Sequence, residues 1–195
     1  IIGSRTQEKA EAAVADLREV MAERGVAEIS VRAMENLAAA KAADIVTLTV
    51  PFSHQASTLE LVKEALHGKI LIDVTVPLVP PKVARVQLPP QGSAGQIAQE
   101  LLGEEVYVVS AFQNVAAAHL QEGRGLECDV LVTGNKKVAR EAVITLVEAA
   151  GMRGFHAGMI NNAAAAEALT SVLITINKQY GCHAGIKISG LDDTH

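Results

Sequence analysis

The feature that most constrains the fold is a regular alternation of short apolar runs with longer stretches of helical periodicity. Residues Asp44–Val50 (DIVTLTV) form an apolar, β-branched run that Pro51 ends, as in a strand buried on both faces. The earlier segment Gln7–Arg24 has apolar residues every three or four positions and is followed by Gly25, as in an amphipathic helix. Alternation of this kind predicts an α/β fold, in which helices cover both faces of a doubly wound parallel sheet.

The remaining segments continue the same series. Residues 74–92 contain five of the six prolines, which predicts an extended loop, and long ordered loops are usually functional. We expect further strands at 29–32, 69–73, 106–110 and 129–133 and one that begins at Phe155, and helices at 36–43, 54–67, 93–102, 136–150 and 161–180.

The composition restricts the class of protein. Hydrophobic residues make up 49% of the chain and aromatic residues only 3%, so the core must consist of Ala, Val, Ile and Leu. A net charge of -5 argues against a nucleic-acid partner. Cys128 and Cys182 are far apart and form no metal-binding motif, and the histidines show no ligand spacing, so we predict neither a disulfide framework nor a metal site. Without a long apolar run or a signal peptide, we expect a cytoplasmic protein with no membrane association.

The first residues form a candidate anion-binding turn. Ile1-Ile2 is typical of a strand end, and Gly3-Ser4-Arg5-Thr6 follows it directly before the first helix. In a doubly wound dinucleotide fold, the residue after the second strand meets the adenosine ribose. Here a hydroxyl beside an Arg favours the 2'-phosphate of NADP over NAD, with Thr6 as a further donor. The alternative interpretation is a capping box formed by Ser4 and Gln7, with Arg5 merely solvated.

The glycine-rich loop that should precede this turn is not found. A G-x-G-x-x-G turn holds the pyrophosphate in such folds, and the nearest match, residues 92–95 (GSAG), follows a proline-rich loop instead of a strand. In the strand order 3-2-1-4-5-6 the strand before this loop is central, between Ile1-Ile2 and Asp44–Val50. We therefore expect that roughly 25 to 30 residues of the natural protein precede Ile1, about the size of one βα unit, and that without them two strand edges are unpaired.

Several segments, spread over the whole chain, match one family in order and spacing, although no single segment is specific. They are Gly3-Ser4-Arg5 with Glu8-Lys9-Ala10-Glu11, Thr49-Val50-Pro51-Phe52 with His54, Val76-Pro77-Leu78, Ser93-Ala94 with Ile97-Ala98, Val109-Ser110-Ala111-Phe112, Glu167-Ala168-Leu169-Thr170 and Gly185-Ile186-Lys187. Together they resemble the NADPH-dependent reductases of the deazaflavin coenzyme F420 (F420H2:NADP oxidoreductases). Relatives often have His where this chain has Gln113, and a basic residue where it has Ala164.

The resemblance implies an enzyme that exchanges a hydride between NADP(H) and coenzyme F420, and a homodimer. It implies a Rossmann-type NADP-binding domain at residues 1–134 and a small C-terminal helical portion at 135–195 that completes the deazaflavin cleft. Ser4 and Arg5 would contact the 2'-phosphate, and Val50 and Pro51 would line the cofactor. The segment from Ser110 to Val115, together with Thr170, would border the cleft.

Other positions have two interpretations each. Val50, Ala111 and Val115 are either walls of the hydride-transfer slot or ordinary core. Gln113 and Asn114 either hydrogen-bond a carboxamide or flavin carbonyl or form a turn. His54 either contacts the cofactor or is solvated, with Ser53 as the helix N-cap. Asp73 either orients a polar ligand or caps the turn that follows it.

We expect no protein nucleophile, because both reactive carbons belong to the cofactors. Two alternative functions stay open. One is NADPH-dependent reduction of another flavin, as in ferric-reductase-like domains. The other is a non-catalytic NADP-binding or interaction module.

Overall fold

Strands and helices alternate along the chain in the computed structural model, which describes residues 1–117, 120 and 127–190. The strands are β1 (Ile2–Ser4), β2 (Ala33–Glu35), β3 (Ile45–Leu48), β4 (Ile70–Asp73), β5 (Tyr107–Ser110), β6 (Asp129–Gly134) and β7 (Arg153–His156). The α-helices are α1 (Gln7–Glu23), α2 (Asn36–Ala42), α3 (Gln55–Val62), α4 (Ala94–Leu102), α5 (Lys137–Ala149) and α6 (Ala163–Tyr180), and short 3-10 turns cover Phe52–His54, Lys63–Leu66 and Ile160–Asn162.

The described strands form two sheets. β1 and β2 pair in parallel, with Ile2 opposite Ala33. The larger sheet has the order β3-β4-β5-β6-β7, and all its pairs are parallel except β5 with β6. The predicted parallel sheet is therefore confirmed except at one pair of strands. An antiparallel strand on a mainly parallel sheet is common in doubly wound folds.

Helices pack on both faces of the larger sheet. Leu71 and Val108 point into an apolar cluster with residues of α3 and α4, whereas their neighbours Ile72 and Val109 point into a second cluster with Val143 of α5. Successive residues of a strand face opposite sides, so both sides of β4 and β5 are buried. The fold is thus the predicted α/β fold of Rossmann type.

The prediction of a strand at residues 29–32 is wrong by about one strand length, because β2 occupies Ala33–Glu35. Helix α1 has 17 residues and is about 25 Å long, far longer than the three-residue strand β1 beside it. The chain therefore needs the residues after α1 to return to the start of β2. Within this return, the guanidinium of Arg18 donates to the carbonyl of Val31 at 3.2 Å.

A groove separates the two sheets. Among the described strands, β1 pairs only with β2 and β3 only with β4, so one edge of each is unpaired, as the sequence analysis expects. The groove has a volume of about 240 Å³ and is lined by Ile1, Gly3 and Asn36 on one side and by residues 45–50 on the other. It lies where the strand order predicts the central strand.

The proline-rich segment at residues 74–92 forms no helix or strand, as predicted. It passes over helix α6, where the hydroxyl of Ser171 donates to the carbonyl of Val83 at 2.9 Å. The hydroxyl of Thr175 donates to the carbonyl of Ala84 at 3.3 Å. In the part of the chain that the structure describes, no helix is long and apolar enough to span a membrane.

Candidate functional site

The carboxyl ends of β3, β4 and β5 meet at one edge of the sheet. These strands are parallel and adjacent, so the residues that follow them, among them Val50, Thr75 and Ala111, emerge on the same side. In open α/β sheets, ligands bind in the crevice outside these strand ends. The candidate site is therefore built from this edge, from the Ser4-Arg5 turn after β1 and from the start of α6.

The side chains of the Ser4-Arg5 turn do not cap the helix that follows them. Ser4 is half-buried at the end of β1, and Arg5 is exposed with no hydrogen bond or ion pair to any described residue. The capping box of Ser4 with Gln7 is wrong. The N-cap of α1 is Thr6, whose hydroxyl oxygen accepts a hydrogen bond from the backbone N–H of Lys9 at 3.4 Å. A hydroxyl and a guanidinium are thus available to an anion, while Thr6 holds the helix in place.

His54 and Pro51 lie on the surface after β3. Pro51 precedes the 3-10 turn at Phe52–His54, and its carbonyl accepts the backbone N–H of His54 at 2.8 Å. The alternative with Ser53 as N-cap is wrong, because Ser53 lies inside this turn and α3 begins only at Gln55. The imidazole of His54 is exposed, and Val50 is half-buried against the apolar core and lines the groove between the sheets.

A sharp turn after β5 places the amide of Gln113 in the interior. Phe112 has a φ of 72°, which is unfavourable for a residue with a side chain. Gln113 is 7% exposed, and its Nε2 donates to the carbonyl of Asp73 at 2.9 Å and to Oγ of Ser110 at 2.8 Å. Since a backbone carbonyl only accepts, these bonds fix the orientation of the amide. Its Oε1 is then left buried with no hydrogen-bond partner among the described residues.

Helix α6 is hydrogen-bonded to the same turn. The hydroxyl of Thr170 donates to the carbonyl of Gln113 at 2.9 Å, and Nδ2 of Asn114 donates to the carbonyl of Ala166 at 2.8 Å. The structure therefore brings together three of the predicted cleft residues, Ser110, Gln113 and Thr170.

The apolar candidates for the slot walls lie in or against the core. Ala111 is fully buried, and its backbone N–H donates to the carbonyl of Asp73 at 3.3 Å. Val115 is half-buried and packs against the same apolar cluster as Ala111. The side chain of Ala111 is therefore a core side chain, whereas Val115 has surface left for a ligand.

Asp73 at the end of β4 is a fully buried carboxylate. One oxygen accepts the backbone N–H of Thr75 at 2.8 Å, and the other accepts Nε2 of Gln55 at 2.5 Å. The same Nε2 of Gln55 also lies 2.9 Å from the carbonyl of Ala94. Burial raises the pKa of Asp73 in spite of these hydrogen bonds. Asp73 thus caps the turn after its own strand, and Gln55 joins it to the start of α4.

Glu167 on α6 is a buried residue that the sequence analysis does not single out. Its carboxylate oxygens accept the backbone N–H groups of Ala94 at 2.6 Å and Gly95 at 3.0 Å, at the N-terminus of α4. Burial, and to a smaller degree the charge of Asp73, raises the pKa of Glu167 to about 7. The GSAG turn is therefore occupied by a carboxylate of the protein itself, which explains why it cannot serve as a phosphate loop.

A signal for Glu167 was present in the sequence. It is an acidic residue inside an Ala-rich helix, three positions before Thr170 and hence on the same face. An ionisable residue in an otherwise apolar helical stretch indicates a specific partner. Its partner could not be read from the sequence, because Ala94 is 73 residues away.

The cysteines have no role that the structure supports beyond packing. Cys128 is buried, as expected of a small core residue, and burial raises the pKa of its thiol. Cys182 is exposed, and neither residue is in a disulfide. Within residues 1–117, 120 and 127–190, no group of His, Cys, Asp and Glu side chains has the arrangement of a metal site.

Comparison with known proteins gives consistent matches. The family model described as NADP oxidoreductase, coenzyme F420-dependent, matches residues 1–77. The F420-dependent NADP reductase of Methanocaldococcus jannaschii is 39% identical over 98% of this chain and 88% of its own length. The enzyme of the same name from Methanothermobacter marburgensis is 36% identical over 99% of this chain and 88% of its own length. A crystal structure from Arthrobacter sp. FB24, assigned as an F420-dependent NADP reductase, superposes with a TM-score of 0.78 at 26% identity, over 96% of this chain and 87% of that one.

Proposed function

The chain belongs to the family of F420-dependent NADP reductases, and we propose on this basis that it transfers a hydride between NADP(H) and the deazaflavin coenzyme F420. The observation that carries the proposal is the match to two enzymes of this name over nearly the whole chain. The geometry of the site supports both halves of the reaction.

The NADP half of the proposal rests on the turn after β1. We assign the 2'-phosphate to Ser4 and Arg5, because the guanidinium is exposed and has no partner among the described residues. An Arg beside a hydroxyl can bind a phosphate through charge-assisted hydrogen bonds. NAD-specific sites have an acidic residue at this position, which would repel the 2'-phosphate, and this turn has none. Thr6, Val50, Pro51 and His54 complete the proposed cofactor-binding residues.

The deazaflavin half rests on the turn after β5. Oε1 of Gln113 is a buried acceptor with no partner among the described residues, and leaving such an atom unpaired costs about 1 to 3 kcal/mol. An N–H group of a bound nicotinamide carboxamide or deazaflavin ring would remove that cost. We assign Ser110, Gln113, Val115 and Thr170 to the cleft in which the two rings stack, with Ala111 contributing its backbone.

The chemistry requires orientation more than reactive side chains. NADP(H) supplies or accepts the hydride, and the reacting carbons must approach to about 3 to 3.5 Å in a slot from which water is excluded. The apolar residues at the strand ends exclude water, and the hydrogen-bonded amide of Gln113 fixes the orientation of a ring. No protein side chain takes part in bond making.

We extend this proposal to the domain organisation, the oligomeric state and the location of the enzyme. Residues 1–134 form the NADP-binding part, and residues 135–195 form the portion that completes the cleft, with the contacts of α6 to Gln113 and Asn114 in support. The enzyme is a homodimer. It works in the cytoplasm, where its exposed Cys182 would stay reduced.

The decisive experiment is a turnover assay with NADPH and oxidised F420, followed by the loss of absorbance of the deazaflavin. We expect activity with NADPH to exceed activity with NADH at least tenfold, since only NADPH carries the phosphate that Arg5 would contact. The matched control replaces F420 by FMN under the same conditions. Turnover with FMN and none with F420 would instead support reduction of another flavin, and NADPH binding without turnover of either acceptor would support a non-catalytic module.

A further inference from the structure

Glu167 occupies the N-terminus of a helix that belongs to another part of the fold. The first N–H groups of any α-helix have no partner within the helix. In α4 those of Ala94 and Gly95 donate to Glu167, and that of Gln96 donates to Oγ of Ser93 at 3.0 Å. A negative charge at a helix N-terminus is stabilised by the helix dipole. The ionised carboxylate, with two acceptor oxygens, is therefore the form that this geometry fits.

The contact between Glu167 and α4 is buried. Glu167 is 1% exposed. A Cβ added to Gly95 would lie 3.1 Å from both Ser110 Cβ and Ile160 Cδ1, so the start of α4 lies directly against the end of β5 and the 3-10 turn that precedes α6. Of the titratable groups in the described residues, the one whose charge acts on Glu167 is Asp73, which is itself fully buried.

The same stretch of α6 borders the cleft. Thr170, one helical turn after Glu167, donates to the carbonyl of Gln113, and the carbonyl of Ala166, one residue before Glu167, accepts from Asn114. Gln113 in turn is bonded to Asp73 and Ser110. Displacement of α6 relative to α4 would therefore move the residues that we assign to the cleft.

We propose that Glu167 is a positioning residue for hydride transfer. Its ionised carboxylate fixes the position of α6 relative to the N-terminus of α4 and thereby the positions of Thr170 and Gln113 in the cleft. The inference rests on the proposed function, because it concerns the same cleft. When Glu167 is protonated, it loses its charge and one of its oxygens becomes an O–H donor and a weaker acceptor, so its hydrogen bonds to the N-terminus of α4 are weakened. Since burial raises the pKa of Glu167 to about 7, these hydrogen bonds become stronger as the pH rises from 6 to 8.

The test compares kcat for NADPH and F420 in the wild type and in Glu167→Gln between pH 5.5 and pH 8.5. The neutral amide has the shape of the protonated acid. We expect the two proteins to be nearly equal at pH 5.5 and the wild type to be about tenfold faster at pH 8.5, the factor expected from the loss of one hydrogen bond to a charged group. Taking the ratio removes the pH dependence of the coenzymes. The preference for NADPH over NADH should not change, because the Ser4-Arg5 turn lies on the other sheet.

Glu100→Gln is the matched control, because Glu100 is an exposed carboxylate on α4, the helix whose N-terminus contacts Glu167. Its kcat ratio to the wild type should be close to one at every pH. A ratio for Glu167→Gln that does not change with pH would overturn the inference while the proposed function stands. Absence of any turnover in the wild type with F420 would overturn the proposed function and this inference with it.

A measurement on the wild type alone covers the case in which Glu167→Gln does not fold. The backbone amide signals of Ala94 and Gly95 in nuclear magnetic resonance spectra should shift with a common midpoint near pH 7, because both N–H groups donate to the titrating carboxylate. The amide of Gln96, which donates to Ser93 instead, is the internal reference. Absence of a midpoint between pH 5.5 and pH 8.5 at Ala94 and Gly95 would overturn the inference.

Discussion

The turn at Ser4-Arg5 and the buried cluster around Gln113 and Glu167 represent opposite ways to build a binding site. The turn consists of neighbouring residues and is at least partly exposed, and the side chains of Ser4 and Arg5 have no hydrogen bond to any described residue. The cluster joins residues from β4, β5, α3, α4 and α6, and nearly every polar atom in it already has a partner. The first region can therefore lose a side chain and stay folded, whereas in the second region binding and stability depend on the same hydrogen bonds.

The largest expected effect is on the free energy of unfolding. It is tested with a glutamine of the buried cluster, Gln55, and an exposed glutamine beside the turn, Gln7. Gln55→Leu removes the amide that bonds to Asp73, Thr75 and the carbonyl of Ala94. Because a buried carboxylate would lose a partner, we expect the free energy of unfolding to fall by about 3 kcal/mol. Gln7→Leu is the control, because the exposed Gln7 bonds to Glu11 and the carbonyl of Ala33 near the turn. It should cost about 0.5 kcal/mol or less. Urea unfolding measures both, and equal losses would contradict the comparison.

The next effect is on affinity rather than stability. Arg5→Ala should raise KM for NADPH roughly tenfold, because a hydrogen bond between charged groups at an exposed site contributes about 1.5 kcal/mol. KM for NADH and the melting temperature should stay unchanged, since Arg5 has no partner among the described residues. Arg24→Ala removes the same charge at the far end of α1 and serves as the control. A similar rise of KM in both variants would show a general charge effect instead of a phosphate contact.

The smallest effect separates two roles of one residue. Thr6→Ala removes the N-cap of α1, which should lower the free energy of unfolding by about 0.5 to 1 kcal/mol. Thr6→Ser keeps the hydroxyl and should therefore keep the free energy of unfolding close to that of the wild type. If Thr6 also donates to the phosphate, as proposed, KM for NADPH rises about twofold to threefold in the Ala variant and recovers in the Ser variant. A change in stability with an unchanged KM would limit Thr6 to capping.

The two regions also differ in how far they were predictable. The turn at Ser4-Arg5 is predictable because strand end, small residues and helix start follow one another within a few positions. The cleft was predicted only in part. Ser110 and Thr170 follow only from the resemblance to the family, and the pattern around Gln113 is equally consistent with a plain turn. Phe112, directly before Gln113, has a positive φ, which no sequence pattern of a bulky residue predicts, and Oε1 of Gln113 has no partner among the described residues.

The sequence by itself determined the α/β class and the order of its elements, and it predicts that the turn at Ser4-Arg5 meets a 2'-phosphate instead of a ribose hydroxyl. These are set by periodicity and by neighbouring residues, and such short-range effects are written directly into the order of amino acids. The tertiary structure decided that the GSAG turn holds a carboxylate of the chain itself, that β6 runs antiparallel to β5, and that Glu167 meets Ala94 across 73 residues. Such contacts arise only when helices and strands distant in sequence pack together, because the partner of a buried charge is chosen by the fold as a whole.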